Sequence, residues 1–166
     1  MSMLHQLAMA VAPWADFYND SKVAQTVVTF GHFGGMMTAG GMALGADRAT
    51  LRAVEGEAPD RARHLTELSS IHPIVVGALG VTALSGLLMF AADLETLAVS
   101  PYFWLKMGLV ALLLVNGLVM VRTEKALVGE SLAAGRAWVR LRRASLVSLA
   151  LWFAVVLAGS ILPIAA

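Results

Sequence analysis

The sequence predicts an all-α fold: an integral membrane four-helix bundle, N-out and C-out, preceded by a short N-terminal interfacial amphipathic helix. Three observations lead there. Of the 166 residues, 58% are hydrophobic and 14% charged, with a mean hydropathy of +0.76, too little polar surface to clothe a water-soluble globule. The apolar residues gather in segments of about twenty, the length that carries an α-helix across about 30 Å of hydrocarbon. Most basic residues lie on alternate connections between those segments, a pattern that orients a bundle with those connections in the cytoplasm.

Residues 1–20 hold the first element. Leu4, Leu7, Ala8, Val11 and Trp14 recur at helical spacing over Met3 to Phe17, as in a helix lying at the membrane surface. Pro13, Asp16 and Asp20 follow its apolar stretch where a cleavable leader would carry small residues, so no removable signal peptide is expected. Span one is expected at residues 23–44, rich in glycine and methionine, and closes on Asp47-Arg48, which either anchors the cytoplasmic end or pairs internally. Residues Asp47 to Ser70 are polar and helix-compatible, with Pro59 and Asp60 suited to a first helical turn, and are expected as a cytoplasmic loop feeding directly into span two.

Span two is expected at residues 71–92, broken by Asp93, Glu95 and the Ser100-Pro101 step. Span three is expected at 102–121, closed by Arg122, Glu124 and Lys125, and span four at 144–162, ended by Pro163. Arg48, Arg52, Arg61 and Arg63 fall in one inner loop, and Arg122, Lys125, Arg136, Arg140, Arg142 and Arg143 in the other. The opposite side carries Lys22 with Asp16, Asp20, Asp93 and Glu95, so the expected address is the inner membrane of a bacterial-type cell. Trp14, Tyr18, Tyr102, Trp104 and Trp138 fall near expected interfaces and read as belt anchors.

The absence of cysteine removes disulfides, thiolate metal sites, Fe–S clusters and cysteine nucleophiles. No hydrolase or nucleotide-binding motif occurs, no two carboxylates share a span, and a net charge of +1 gives no reason to expect nucleic acid. The chemistry must therefore be sought among the few polar groups inside the spans, where an ionisable residue is a functional candidate by default.

His32 lies about ten residues into span one, flanked by Gly31, Gly34 and Gly35. Imidazole is an axial ligand of b-type haem, and glycine lets a flat macrocycle or another helix approach the backbone. Two readings follow: a haem site, or a small-residue helix contact through Gly31, Gly35 and Ala39 with His32 bonding across it. Lys106 enters span three from the same side and reaches a similar depth; it either faces His32 or snorkels to headgroups. His72 opens span two well over 10 Å from His32 along the membrane normal. It is a ligand of a second site or an interfacial polar group, whereas His64 is expected on a solvated face. Met36, Met37, Met42, Met89, Met107 and Met120 offer soft sulfur for copper, but lack a repeated ligand spacing.

The sequence resembles small four-helix membrane proteins of the copper-resistance protein D type and the membrane protoporphyrinogen oxidases of the HemJ type. The likeness rests on Gly31-His32-Phe33-Gly34 with Asp47-Arg48, on Ser85 to Phe90 closing span two, and on Tyr102 to Met107 opening span three. The resemblance implies haem b held by His32, with Lys106 near the propionates or the second axial position. It implies a haem-dependent oxidoreductase or electron-transfer role with a quinone or porphyrin partner, within a membrane redox complex or a homo-oligomer. The chain departs from the HemJ pattern in having Trp104-Leu105 before Lys106, without the second histidine. A non-catalytic subunit docking to a larger assembly, and a copper-handling protein, are the other readings that these residues allow.

Overall fold

The computed structural model describes residues 3–129 and 135–165. Its elements are all helical: α1 (Met3–Asp20), α2 (Lys22–Glu55), α3 (Ala58–Ala92), α4 (Leu94–Val99), α5 (Pro101–Gly129) and α6 (Gly135–Ala165). Ser21 separates the first two, its extended backbone turning the chain while its hydroxyl accepts from the Ala24 amide at 3.2 Å. Pro101 opens α5, and the Ser100 hydroxyl accepts from the Phe103 amide at 3.4 Å.

Among the described residues, three helices are long and apolar enough to cross a membrane: Ala58–Ala92, Pro101–Leu127 and Gly135–Leu162. α2 falls short because Gln25, His32, its threonines and its many glycines dilute the apolar run. The outer surface of the helices is apolar, with Phe30, Val76, Leu84, Leu118 and Phe153 exposed, whereas Gly35, Gly40, Ser85, Ser145 and Ser148 are turned inward. That inversion of the water-soluble pattern is what a lipid environment selects, since lipid rewards close packing of small residues rather than burial of large apolar ones.

The structure corrects the expected inner loops. Where the sequence predicts a polar loop from Asp47 to Ser70, α2 continues to Glu55 and α3 begins at Ala58. Pro59 and Asp60 do stand in the first turn of α3. At 1.5 Å per residue, α3 alone is about 52 Å long, so it overhangs a hydrocarbon core of about 30 Å. The overhang is stable because one face is buried: Ala53, Leu65 and Leu68 pack with Leu127, Trp138 and Leu141 in a core at the arginine-rich end. The α6 helix likewise starts before Ala144 and continues past Pro163.

Two single-residue expectations change with this core. Trp138 is 2% exposed, a core residue and not a belt anchor, with the Arg61 guanidinium 5.2 Å from its ring centroid. Arg61 also donates to the Val54 carbonyl at 2.7 Å, closing the end of α2. His64 is buried rather than solvated, 2.8 Å from the Thr50 hydroxyl, and burial lowers its pKa. Trp104 and Tyr102 remain exposed at the opposite end.

The packing order is α3–α2–α6–α5, with α1 laid across α3 and α2. The Trp14 indole fixes α1 by donating to the Leu88 carbonyl at 2.8 Å. Among the described residues α3 and α5 scarcely pack on each other. Side chains bridge them near the ends: Phe90 stacks on Phe103 at 4.8 Å, and His72 meets Glu124 at 3.2 Å. The bundle therefore has one loose seam, lined by the helices that carry Lys106 and Ser85.

Candidate functional site

The first polar group in the bundle is His32 on α2. Its ring Nδ1 lies 3.0 Å from the Thr82 carbonyl and 3.3 Å from the Ser85 hydroxyl, both on α3. A carbonyl only accepts, so the Nδ1 contact requires the proton on Nδ1. Ser85 is arranged to accept as well, because its own hydroxyl donates to the Val81 carbonyl at 2.7 Å. In the neutral ring the lone pair is then on Nε2, which no hydrogen bond among the described residues engages.

Glycines set the room around this ring. A methyl group on Gly86 would come within 3.1 Å of His32 Cε1, so the ring would have to give by a few tenths of an ångström to admit one. Gly35 meets α3 still more closely: a methyl on it would lie 2.5 Å from Thr82 Oγ1 and 2.8 Å from the Ala78 carbonyl oxygen. Gly31 faces Val81 and Ser85. The face of α2 bearing Gly31 and Gly35 is thus filled by α3, the small-residue contact that was one of the two readings, and it offers no cradle for a macrocycle. Ala39 is fully buried, and Gly40 seats the Trp152 ring of α6.

Lys106 on α5 is partly buried and lies close enough for its charge to act on His32. A methyl on Gly159 of α6 would stand 3.6 Å from its Nζ. The structure therefore brings His32 and Lys106 to one region of the bundle, beside Gly86 and Gly159 and next to the loose seam. Gly86 lies in the Ser85 to Phe90 stretch that carries the resemblance but has no site role from it, and Gly159 carries no motif; only the packing shows what they face.

His72 belongs elsewhere. Its Nε2 is engaged by Glu124 Oε2 at 3.2 Å near the arginine-rich end, with the side chain of His72 36% exposed and that of Glu124 9%. Beside this pair lies Asp47, 1% exposed, whose charge acts on Glu124. Burial pushes the Asp47 carboxyl up to about 6, against the opposing pull of the Ser148 and Ser145 hydroxyls next to it. Asp47 Oδ2, Glu124 Oε1 and Ser145 Oγ are all buried without a hydrogen-bond partner among the described residues.

From the sequence, Asp47 is an end anchor or an internal pairing group and Glu124 closes span three. A signal was present, since each lies three residues past the expected end of a span running in the same direction. Linear order does not show that both turn inward.

Among the described residues no three His, Cys, Asp or Glu side chains are grouped to hold a metal ion. Of the methionines, Met37 is 74% exposed and Met107 37%, on the outer surface of their helices. Comparison with protein-family models, with characterised proteins and with solved structures finds no match to this chain.

Proposed function

We propose that the protein is a b-haem-binding membrane protein with a redox role, using His32 as axial ligand. One observation carries this reading: the Thr82 carbonyl holds Nδ1–H and leaves Nε2 as the lone-pair nitrogen of an oriented imidazole. Ligating histidines commonly donate their other ring N–H to a carbonyl, which fixes both tautomer and ring plane. Lys106 supplies a cation for a propionate or a second axial donor, and the absent side chains of Gly86 and Gly159 are what let the His32 ring and the Lys106 stem lie against α3 and α6. Bound haem would supply one-electron exchange at iron. The residues of the chain orient the ligand, and the α3–α5 seam admits a lipid-soluble quinone or porphyrin partner sideways from the bilayer.

Absorption spectroscopy tests this directly. Purified protein is expected to show a Soret band that His32→Ala removes and Lys106→Ala weakens, while His72→Ala leaves it in place. A colourless wild-type protein after haem supplementation would rule the reading out.

The same proposal counts α2 as a fourth span, despite its lower hydropathy, because it packs between α3 and α6 and presents Phe30, Phe33 and Met37 outward. It sets the arginine-rich end in the cytoplasm and both termini outside, in a bacterial-type inner membrane. The cysteine-free chain makes this easy to test. In intact cells or spheroplasts, Asp93→Cys is expected to react with an impermeant maleimide and Arg63→Cys only after lysis. The reverse labelling pattern would invert the topology.

A further inference from the structure

At the arginine-rich end, two carboxylates from different helices are held out of water. Among the described residues no arginine or lysine pairs with either, and His72 is the one basic side chain within ion-pair distance of Glu124. The surrounding elements account for their charged groups elsewhere. On α3, His64 is taken by Thr50 and Glu67 by Arg63. On α5, Lys125 acts on His72, and Arg122 is exposed. On α2, Arg48 and Arg52 are exposed; on α6, Arg142 and Arg143 are exposed, and the groups beside Asp47 are the hydroxyls of Ser145 and Ser148.

Two buried like charges, of which only Glu124 has a basic neighbour in His72, oppose each other's ionisation, since each adds a desolvation cost and a repulsion that water does not screen. The unpartnered oxygens point the same way. The Ser148 hydroxyl bonds to the Asp47 carboxyl, yet Asp47 Oδ2, the fully buried Ser145 hydroxyl beside it and Glu124 Oε1 are left without a geometrically sound hydrogen bond among the described residues. Among the described residues no three His, Asp or Glu side chains are grouped to hold a metal ion, so a proton is the neutralising species that the His72–Glu124 contact and the buried Asp47 carboxyl suit best.

We propose that Asp47 and Glu124 form a proton-binding carboxyl pair loaded through His72. The half-exposed imidazole takes a proton from the aqueous side. Nε2–H then passes its proton across the 3.2 Å contact to Glu124 Oε2, so the carboxylate becomes a carboxyl and the ring returns to neutral. The pair holds one proton in place of a second negative charge. This goes beyond the haem reading and does not depend on it: at 1.5 Å per residue, Asp47 lies about 22 Å along α2 from His32.

Infrared titration of the full-length protein in lipid nanodiscs tests the proposal. At neutral pH the wild type is expected to show a protonated-carboxyl carbonyl band that shifts in heavy water. Asp47→Asn and Glu124→Gln should each reduce it to about half or less, because removing one charge relieves the repulsion that keeps the proton on. His72→Gln should keep the band but slow its appearance after a pH jump by about tenfold or more, the effect of losing a positioned proton donor.

If either carboxyl variant fails to fold, the wild-type titration and the His72→Gln kinetics still decide the matter. Absence of the band in wild type, an unchanged rate in His72→Gln, or loss of the band on adding sodium at constant pH would overturn the proposal. The last outcome would reassign the pair as a cation site.

Discussion

Gly35→Leu is expected to separate α2 from α3. Even a single methyl at this position would sit 2.5 Å from Thr82 Oγ1, 2.8 Å from the Ala78 carbonyl oxygen and 3.1 Å from the Thr82 amide nitrogen. Two of those atoms are backbone, so rotating a side chain does not relieve the clash; the helices themselves must move. Overpacking a tight contact costs about 1–3 kcal/mol for modest insertions, and leucine against backbone stands at or above the upper end.

Because the Thr82 carbonyl also accepts from His32, the displacement should loosen the imidazole together with lowering stability and, on the proposed haem reading, lower haem retention. Gly34→Leu is the internal control: nothing lies within 4 Å of its position, and its expected effect is within about 0.5 kcal/mol. Unfolding in mixed micelles with increasing denaturing detergent measures both. Equal stability of the two variants would show that the α2–α3 contact is not where the bundle is sensitive.

Trp138→Ala is expected to open the core at the arginine-rich end. The indole is 2% exposed and packs with Leu65, Leu68, Leu127 and Leu141, and it carries the Arg61 guanidinium on its face. Truncating a buried tryptophan costs about 3–5 kcal/mol, through lost contacts and the cavity left behind. Arg61 also loses its platform, which weakens the closure of α2 through the Val54 carbonyl. Trp104→Ala, at a residue 59% exposed, removes a side chain that lipid or headgroups can replace and should cost far less. Thermal melts of the two variants in the same detergent distinguish a core tryptophan from a surface one.

These two cases show where a linear reading stops. The position of Trp138 beside a run of arginines is equally suited to an interface ring and to a core ring. The deciding fact is that α2 and α3 extend past the expected spans and bring Ala53, Leu65 and Leu68 against it. The segment from Asp47 to Ser70 looks polar because its charged residues dominate the average. Its apolar positions are few, but helical spacing sets them on one side, where a neighbouring helix covers them. Gly35 was legible as a close-approach residue; whether a helix or a macrocycle came close was not.

The candidate site divides in the same way. His32 and Lys106 were legible because ionisable residues within apolar runs are rare and costly, and because two helices running the same way place equal distances at equal depth. The tautomer of His32 was not, since it depends on a carbonyl fifty residues along the chain. Nor were Asp47 and Glu124 as a buried pair, because each stands among charged neighbours that look solvated in order of sequence.

By itself the sequence determined an all-helical chain with helices apolar enough for lipid, and where the polar groups lie along them. Those properties follow from composition and run length, which are local and additive. Only the tertiary structure decided which glycines touch a helix, which tryptophan is core, and which carboxylates share a buried space. Those properties depend on the rotation of each helix about its axis, and the weak difference between an apolar side chain and lipid leaves that rotation to packing between small residues.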